Sequence, residues 1–338
     1  MKALLLKPIR AILILTAMIA ALCVLFALSF FAWTKHLMLQ ESLVKNDVML
    51  TEQEPFPVSV QTVERKIVEN PTVDWYVKTH LSFNGDNSRQ SQFLDKILAQ
   101  VAKWDWYQQL ASSVSRILVI YSGERAEQVV ANFGDILKWS EEERALFVDY
   151  ISQTEPYLID GTFYPGRYVV PSDASPELVA DLLHERFSKE VLARYTPEVE
   201  VQVPLKDALI IASLLEREAY DFTDMRYIAG IIWNRLFINM PLQLDATLQY
   251  ARGGVASAWW PRVVPDDKFI ESPFNTYKNT GLPPSPISNP SVESIMAALN
   301  PRVTPCMFYF HDSNGRFYCT ETYEEHVAKL REIYGQGR

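Results

Sequence analysis

The sequence predicts an α+β protein: a single N-terminal transmembrane helix, then a small α/β module, then a larger mixed α+β domain. Three observations carry that expectation. Residues 11–33 hold no charge, residues 105–204 combine a β-branched strand with capped helices, and residues 205–338 alternate apolar helices with proline-rich loops and one hairpin pattern.

The apolar run from Ala11 to Trp33 would span roughly 35 Å as a helix, enough to cross a bilayer. Lys2, Lys7 and Arg10 precede it. Residues 1–10 are therefore expected in the cytoplasm and the rest outside, held to the cytoplasmic membrane by a single pass. A cleaved signal peptide would have a shorter apolar core and a small-x-small site, whereas this run ends in Phe30, Phe31 and Trp33. Residues 34–104 are expected to form a stalk and a poorly defined region beyond it. The stretch is mixed and polar to about residue 55. A hint of strand follows at Val58, Val60 and Val63, a loop at Asn84-Gly85-Asp86-Asn87-Ser88, and a helix from Phe93 to Trp106.

The formal charge of −9 argues against a nucleic-acid partner, which calls for a basic face. The five histidines are scattered, no metal-ligand spacing occurs and no glycine-rich phosphate loop is present, so neither a metal nor a cofactor is expected. About half of the chain is apolar (48%), enough to bury a core in each of two units outside the membrane.

In residues 105–204, Ile117 to Tyr121 reads as a strand. Gly123 leads into a helix with Val129, Val130, Phe133, Ile136 and Leu137 on one face. Ser140 and Glu143 form a capping box for the next helix. An aromatic turn, Thr162 to Tyr168, precedes a helix capped by Ser175 with Pro176 at its first position; it should run to about Arg194 with Val179, Leu182, Leu183 and Phe187 inward. Such a module suits plain packing better than carbohydrate docking.

The stretch 206–220 carries the strongest chemical signal. At about 100° per residue, Ile210, Ile211, Leu214 and Leu215 form one apolar arc and Glu218 falls within it. Glu216 is expected nearer a polar stripe of Lys206, Ser213 and Arg217. A carboxyl on an apolar face is disfavoured as an anion, so its pKa rises, as a general acid requires. Glu218 is the candidate acid; the alternative is a structural ion pair or a cap.

A helix from about Met225 to Leu236 follows. Leu242-Gln243-Leu244-Asp245-Ala246-Thr247 then brings a third carboxylate on an extended segment. Beyond lie Asn275-Thr276-Tyr277 and the proline-dense Gly281 to Pro290, rigid loops of a kind that carries binding groups. Asn275 and Tyr277 are candidate hydrogen-bond partners for the acid, with turn stabilisation as the alternative. Trp259, Trp260, Phe269 and Phe274 are expected to be core for the most part. A helix capped by Asn289 and Pro290 comes next, then a hairpin of Met307–His311 and Arg316–Thr320. In the last helix Thr322 and Glu325 form a capping box, with Val327, Leu330 and Ile333 inward.

Cys23 lies in the apolar run, which leaves Cys306 and Cys319 as a possible pair. A two-residue loop of Asp312-Ser313 would set them opposite each other. Asn314-Gly315 as the loop would set Cys319 opposite Phe310. A four-residue loop from Asp312 to Gly315 leaves them diagonal. The last case predicts neighbouring thiols whose bridging needs some backbone adjustment.

Taken together, Ala212-Ser213-Leu214-Leu215-Glu216-Arg217-Glu218, Asn234-Arg235-Leu236, Leu242 to Thr247, Asn275-Thr276-Tyr277 and Gly281-Leu282-Pro283-Pro284 resemble the YceG-like endolytic murein transglycosylases over about residues 205–330. The resemblance implies a membrane-anchored lytic transglycosylase whose catalytic domain is residues 205–338, with Glu218 as acid/base. Glu216, Gln243, Asp245, Asn275, Thr276 and Tyr277 would bind substrate or support the site. The implied partners are peptidoglycan glycan strands, the bilayer and cell-wall synthesis proteins. The chain has Ser285 and Ser291 where members usually have Gly, Arg316 where they have His, and Asp160 for the acid of an aromatic Glu-Gly-x-x-x-Pro segment; the family's LysM-like region is hard to recognise. Two other readings stay open: a lysozyme-like hydrolase using Glu218 with Asp245, and a non-catalytic scaffold for wall synthesis.

Overall fold

The computed structural model describes residues 54–71, 115–154, 159–254 and 258–335, with Ser29 and Val73. The apolar run 11–33 apart from Ser29, nearly all of the stalk, the loop at 84–88 and the expected helix at 93–106 lie outside them. No helix among the described residues is long and apolar enough to cross a membrane. The chain divides after Glu52, and the unit from Gln53 onward is mixed α+β, with three two-stranded antiparallel sheets among its described residues.

Strands β1 (Val60–Gln61) and β2 (Lys66–Ile67) form a short hairpin. Val63, expected in the strand, sits at its exposed tip. The segment before it is stitched far across the chain: Ser59 N–H donates to Leu299 O (2.9 Å), Ser59 Oγ to Asn300 Oδ1 (2.9 Å), and Asn300 Nδ2 to Pro57 O (2.6 Å).

Strand β3 (Ser115–Ile120) precedes helices α1 (Ala126–Leu137), α2 (Glu141–Thr154) and the single turn α3 (Ile159–Thr162). The expected Ser140/Glu143 box opens α2, with Ser140 N–H donating to Glu143 Oε2 (2.8 Å) and Glu143 N–H to Ser140 Oγ (3.2 Å). Strand β4 (Gly166–Pro171) pairs antiparallel with β3 from Ser115↔Pro171 to Ile120↔Gly166. The aromatic turn is therefore shorter than expected. From Gly166 the chain alternates, Tyr168 and Val170 buried and Val169 exposed, as a half-covered strand does. Helix α4 (Pro176–Glu190) starts on the Ser175 cap (3.3 Å) and ends before Arg194, in a separate 3-10 turn, Leu192–Arg194. Leu118, Ile120, Val129, Phe133, Phe147, Phe163, Val170 and Leu183 form a core of their own.

The second core is built on helices α5 (Pro197–Gln202), α6 (Leu205–Glu218), α7 (Phe222–Phe237), α8 (Asp245–Arg252) and α9 (Val292–Leu299). Helix α6 is its axis: every residue from Ala208 to Leu215 is buried, because α9, α7, α8 and α3 cover it from several sides. This overturns the expected polar stripe. Ser213 is fully buried; its Oγ donates to Ile210 O (2.7 Å) and accepts from Ile287 N–H (3.0 Å).

The cap of α9 is Ser291, whose Oγ accepts from Ser294 N–H (3.1 Å), and not Asn289 with Pro290. Asn289 is spent instead on joining the two cores. Its Nδ2 donates to Glu124 O (3.0 Å) and its Oδ1 accepts from Phe163 N–H (3.0 Å). A 3-10 turn, Pro265–Phe269, lies in the loop between α8 and α9.

Strands β5 (Phe308–His311) and β6 (Phe317–Thr320) pair in the register Tyr309↔Cys319 and His311↔Phe317, and helix α10 (Tyr323–Tyr334) follows on its Thr322/Glu325 box. Val327, Leu330 and Ile333 are half-buried. Asp312 N–H donates to Arg316 O (3.0 Å), so the tip is Ser313–Gly315 and none of the three turns considered forms. Cys306 and Cys319 are disulfide-bonded, with Cα atoms 5.7 Å apart, where neighbouring thiols were expected. The reason lies outside the ladder. Cys306 precedes β5, where its N–H turns back to Thr304 Oγ1 (3.1 Å), so strand register does not fix its position.

Candidate active site

Helix α6 ends at Glu218 because Asp221 starts the next helix two residues after Ala219, its Oδ1 accepting from Asp224 N–H (2.9 Å). The last turn of α6 thus fans Glu216, Arg217 and Glu218 into three directions about 100° apart.

Glu216 meets the start of α9, where its Oε1 accepts from Ser291 N–H (2.8 Å). Burial raises its pKa against the hydrogen bonds from Ser291 and Ser294. The structure therefore corrects the placement of Glu216 at a polar edge: both glutamates are half-buried, and the carboxyl of each lies deep among protein atoms.

Glu218 meets β5 and α8. Its Oε2 accepts from Tyr309 Oη–H (2.9 Å) and its Oε1 from Ala246 N–H at the longer distance of 3.4 Å. Burial is the largest cause raising its pKa. The bonds from Tyr309 and Ala246 oppose it, the charge of Asp245 adds to it, and His311 opposes it. The Tyr309 phenol is pushed well above its ordinary value by burial and by the Glu218 charge, so it stays a donor. His311 is held by Asp224 at 2.8 Å.

Asp245, expected on an extended segment, is the first residue of α8, which brings Ala246 N–H to Glu218. Its exposed side chain accepts from Tyr277 Oη–H through Oδ1 (2.6 Å). Thr276 is buried and fixes the approach to α8: its Oγ1 accepts from Leu244 N–H (3.0 Å) and its carbonyl from Gln243 N–H (3.0 Å). Gln243 is exposed and held at φ +52°, a left-handed conformation that non-glycine residues rarely adopt. Asn275 is wholly buried. Its Nδ2 donates to Lys268 O (3.1 Å) and Ile270 O (2.8 Å), and its Oδ1 accepts from Tyr277 N–H (2.9 Å). Asn275 therefore stabilises the turn and does not face a ligand. The structure thus brings Glu218, Asp245 and Tyr277 to one place, supports them with Thr276 and Asn275, and turns Glu216 toward α9.

Two contributors were given no role at the site by the sequence reading. Tyr309 was read only as a strand residue, although period-two alternation puts it on one face with His311. Arg235 ties the hairpin to the loop before α8, donating from Nε to Met307 O (2.7 Å) and from Nη1 to Pro241 O (3.1 Å) and Leu242 O (2.6 Å). The four aromatics expected in the core are not buried: Trp259, Trp260 and Phe274 are half-buried and Phe269 is 74% exposed. Asp160 is a staple between the cores, accepting from Ala126 N–H (2.7 Å) and Tyr250 Oη–H (2.5 Å). Among the described residues no group of three His, Cys, Asp or Glu side chains could hold a metal ion.

The sequence profile of the YceG-like family matches residues 58–332. The chain is similar to the endolytic murein transglycosylase of Bacillus subtilis (strain 168), with 30% identity over 239 residues covering 64% of each chain. It is also similar to that of Streptococcus pneumoniae (strain D39), with 29% identity over 178 residues covering 52% of this chain and 32% of the relative. The match thus spans less than two thirds of either relative's length. A crystal structure of a yceG-like protein from Listeria monocytogenes is similar with a TM-score of 0.56 and 27% identity, covering 63% of this chain and 75% of that one.

Proposed function

We propose that this chain, which belongs to the YceG-like family, is a membrane-anchored endolytic lytic transglycosylase acting on peptidoglycan. The observation that carries the reading is one buried carboxyl, Glu218, with a raised pKa and two unequal hydrogen bonds, beside the exposed Asp245 and the half-buried Tyr277 that donates to it. Its Oε2 is engaged by Tyr309, whereas Oε1 has only the 3.4 Å contact and is the oxygen free to exchange a proton.

In this reading protonated Glu218 donates to the glycosidic oxygen between N-acetylmuramic acid and N-acetylglucosamine. The bond from that oxygen to the muramyl C1 breaks, and the glucosaminyl 4-hydroxyl leaves. The muramyl 6-hydroxyl then attacks C1 and gives its proton to the Glu218 carboxylate, which closes a 1,6-anhydro ring and restores the acid. One carboxyl suffices because no water has to be activated, unlike in hydrolysis by two carboxylates. Tyr309 supports both states, as a donor to the carboxylate and as a neutral neighbour of the acid.

The apolar run 11–33 would be the anchor in the cytoplasmic membrane, with the catalytic unit outside, next to growing glycan strands and the proteins that synthesise them. The basic residues Lys2, Lys7 and Arg10 support that orientation. So does the Cys306–Cys319 bridge, a bond that persists in oxidising compartments. The test is digestion of purified sacculi in ¹⁸O-labelled water with mass analysis of the new ends. Anhydro-muramyl ends without label are expected; labelled reducing ends would make Asp245 a catalytic base and the enzyme a hydrolase.

A further inference from the structure

Arg217 lies between the two glutamates in sequence, yet its guanidinium is bound to neither. Its centre lies 3.9 Å from that of the Trp260 ring, its buried Nε has no hydrogen-bond partner, and no ion pair joins it to any described residue. The other edge faces the β3–α1 turn, where a Cβ built on Gly123 would stand 3.4 Å from Nη1. Arg235 is spent on three carbonyls and Arg144 on Asp135 and two carbonyls; Arg125 shares a buried, unpartnered Nε with Arg217, but its fork is taken by Glu127 and two carbonyls. Arg217 is half-buried, burial weakens its hold on its proton, and the carboxyls nearest to it electrostatically are Glu218 and Glu216, which burial keeps protonated to higher pH.

A partly buried cation with unused donors in a planar fork is matched by a carboxylate, which satisfies two N–H groups and the charge together. A neutral acetamido oxygen would occupy one donor and leave the charge uncompensated. With one face over indole and Nη1 beside Gly123, the half-buried guanidinium leaves its remaining N–H groups for a ligand carboxylate.

The geometry assigns to Arg217 and Trp260 a subsite for a carboxylate carried by the substrate next to the bond on which Glu218 acts. In a murein strand the group of that class is a carboxylate of the stem peptide borne by the muramyl residue. This rests on the functional reading above and adds to it a preference for peptide-bearing over bare glycan.

The test is equilibrium binding to the full chain in detergent, with Glu218→Gln as background so that nothing is cut. The probes are a soluble muramyl-glucosaminyl tetrasaccharide carrying stem peptides with free carboxylates, and the same molecule with those carboxylates amidated. The acid form is expected to bind about tenfold more tightly to the Glu218→Gln protein. In Glu218→Gln/Arg217→Gln the two probes should bind alike, and Arg217→Lys should keep part of the difference, because it keeps the charge and loses the fork. Melting curves matching that of Glu218→Gln separate this from a loss of fold, and should the glutamine variant not fold, the lysine variant gives the answer alone. A ratio unaltered at position 217, or no difference between the probes in Glu218→Gln, overturns the subsite. Failure of the functional reading would show elsewhere, as inability of the unsubstituted chain to cut strands of either kind.

Discussion

Glu216 and Glu218 sit two residues apart on the same helical turn, and burial raises both, yet the walls they face are of different kinds. Glu216 meets a helix N-terminus, where Ser291 N–H fixes one oxygen at 2.8 Å and the partial positive charge of α9 adds to the hold. Glu218 meets a phenol on a hairpin and a distant amide at 3.4 Å, so one of its oxygens is only loosely engaged. Desolvation alone therefore does not distinguish an acid that can work from one that only binds. What distinguishes them is how firmly the partners commit the oxygens.

The sharpest way to break this contrast is to exchange each carboxyl for its amide. Glu218→Gln should lower strand cleavage by about 10³-fold with an unchanged melting temperature, since the amide fills the same volume and carries no exchangeable acid proton. Equal losses for Glu216→Gln and Glu218→Gln, read as turnover on purified sacculi, would erase the distinction.

The next largest effect concerns the wall that holds Tyr309. The Cys306–Cys319 bridge closes a loop across a sequence separation of 13 beside Tyr309, whose partner in the ladder is Cys319. Replacing both cysteines by Ser should cost about 3 kcal/mol of unfolding free energy in urea. Thiol titration of the denatured full chain should find only Cys23 free before reduction; three free thiols at that stage would refute the bridge.

Tyr309→Phe is milder and tests the engaged oxygen, with an expected loss of activity of about tenfold. The pH profile carries more information than the size of the loss. With Glu218 as the acid, activity should be present below its raised folded pKa and fall as pH climbs through it. The Tyr309 bond lowers that pKa, so its removal should move the alkaline limb to higher pH. A limb that moves down would mean Tyr309 does not donate to the acid.

Glu216→Gln should have the smallest effect on turnover, less than about tenfold, and is best read in stability. Because folding raises the pKa of Glu216, the folded state keeps the proton longer than the unfolded chain does. The resulting stabilisation is complete below the unfolded value and fades as pH rises through the folded one. Urea unfolding of the glutamine variant should therefore depend less on pH above about 4.3 than that of the unsubstituted chain.

Helix phase placed Glu218 on the apolar side of α6 from sequence, but it put Glu216 at an edge that does not exist. A moment measures how a helix's residues are distributed around its axis, whereas burial depends on how many neighbours surround it, and α6 has them on several sides. Local signals with local causes were legible: the Ser140, Ser175 and Thr322 caps, the strand at Ile117 and the hairpin after Met307. Those settled by distant partners were not. Asn289 looks like a cap until Glu124 and Phe163 claim its amide. Asp245 looks like part of an extended run because Thr276, which shapes the turn into α8, comes 31 residues later. Tyr309 gained its role only through a helix that ends 91 residues before it.

The seam between Ser59 and Asn300 gives such distances a duration. Their hydrogen bond spans 241 residues, and at the roughly 5–20 residues per second of synthesis the first partner waits about 10–50 s for the second to be made. Phe56, packed in the second core, meets Arg194 and Tyr195 earlier, but the Ser59 seam has nothing to close against until Leu299 and Asn300 are made. The seam can therefore close only after the helices that carry Glu218 and Asp245 have both been made.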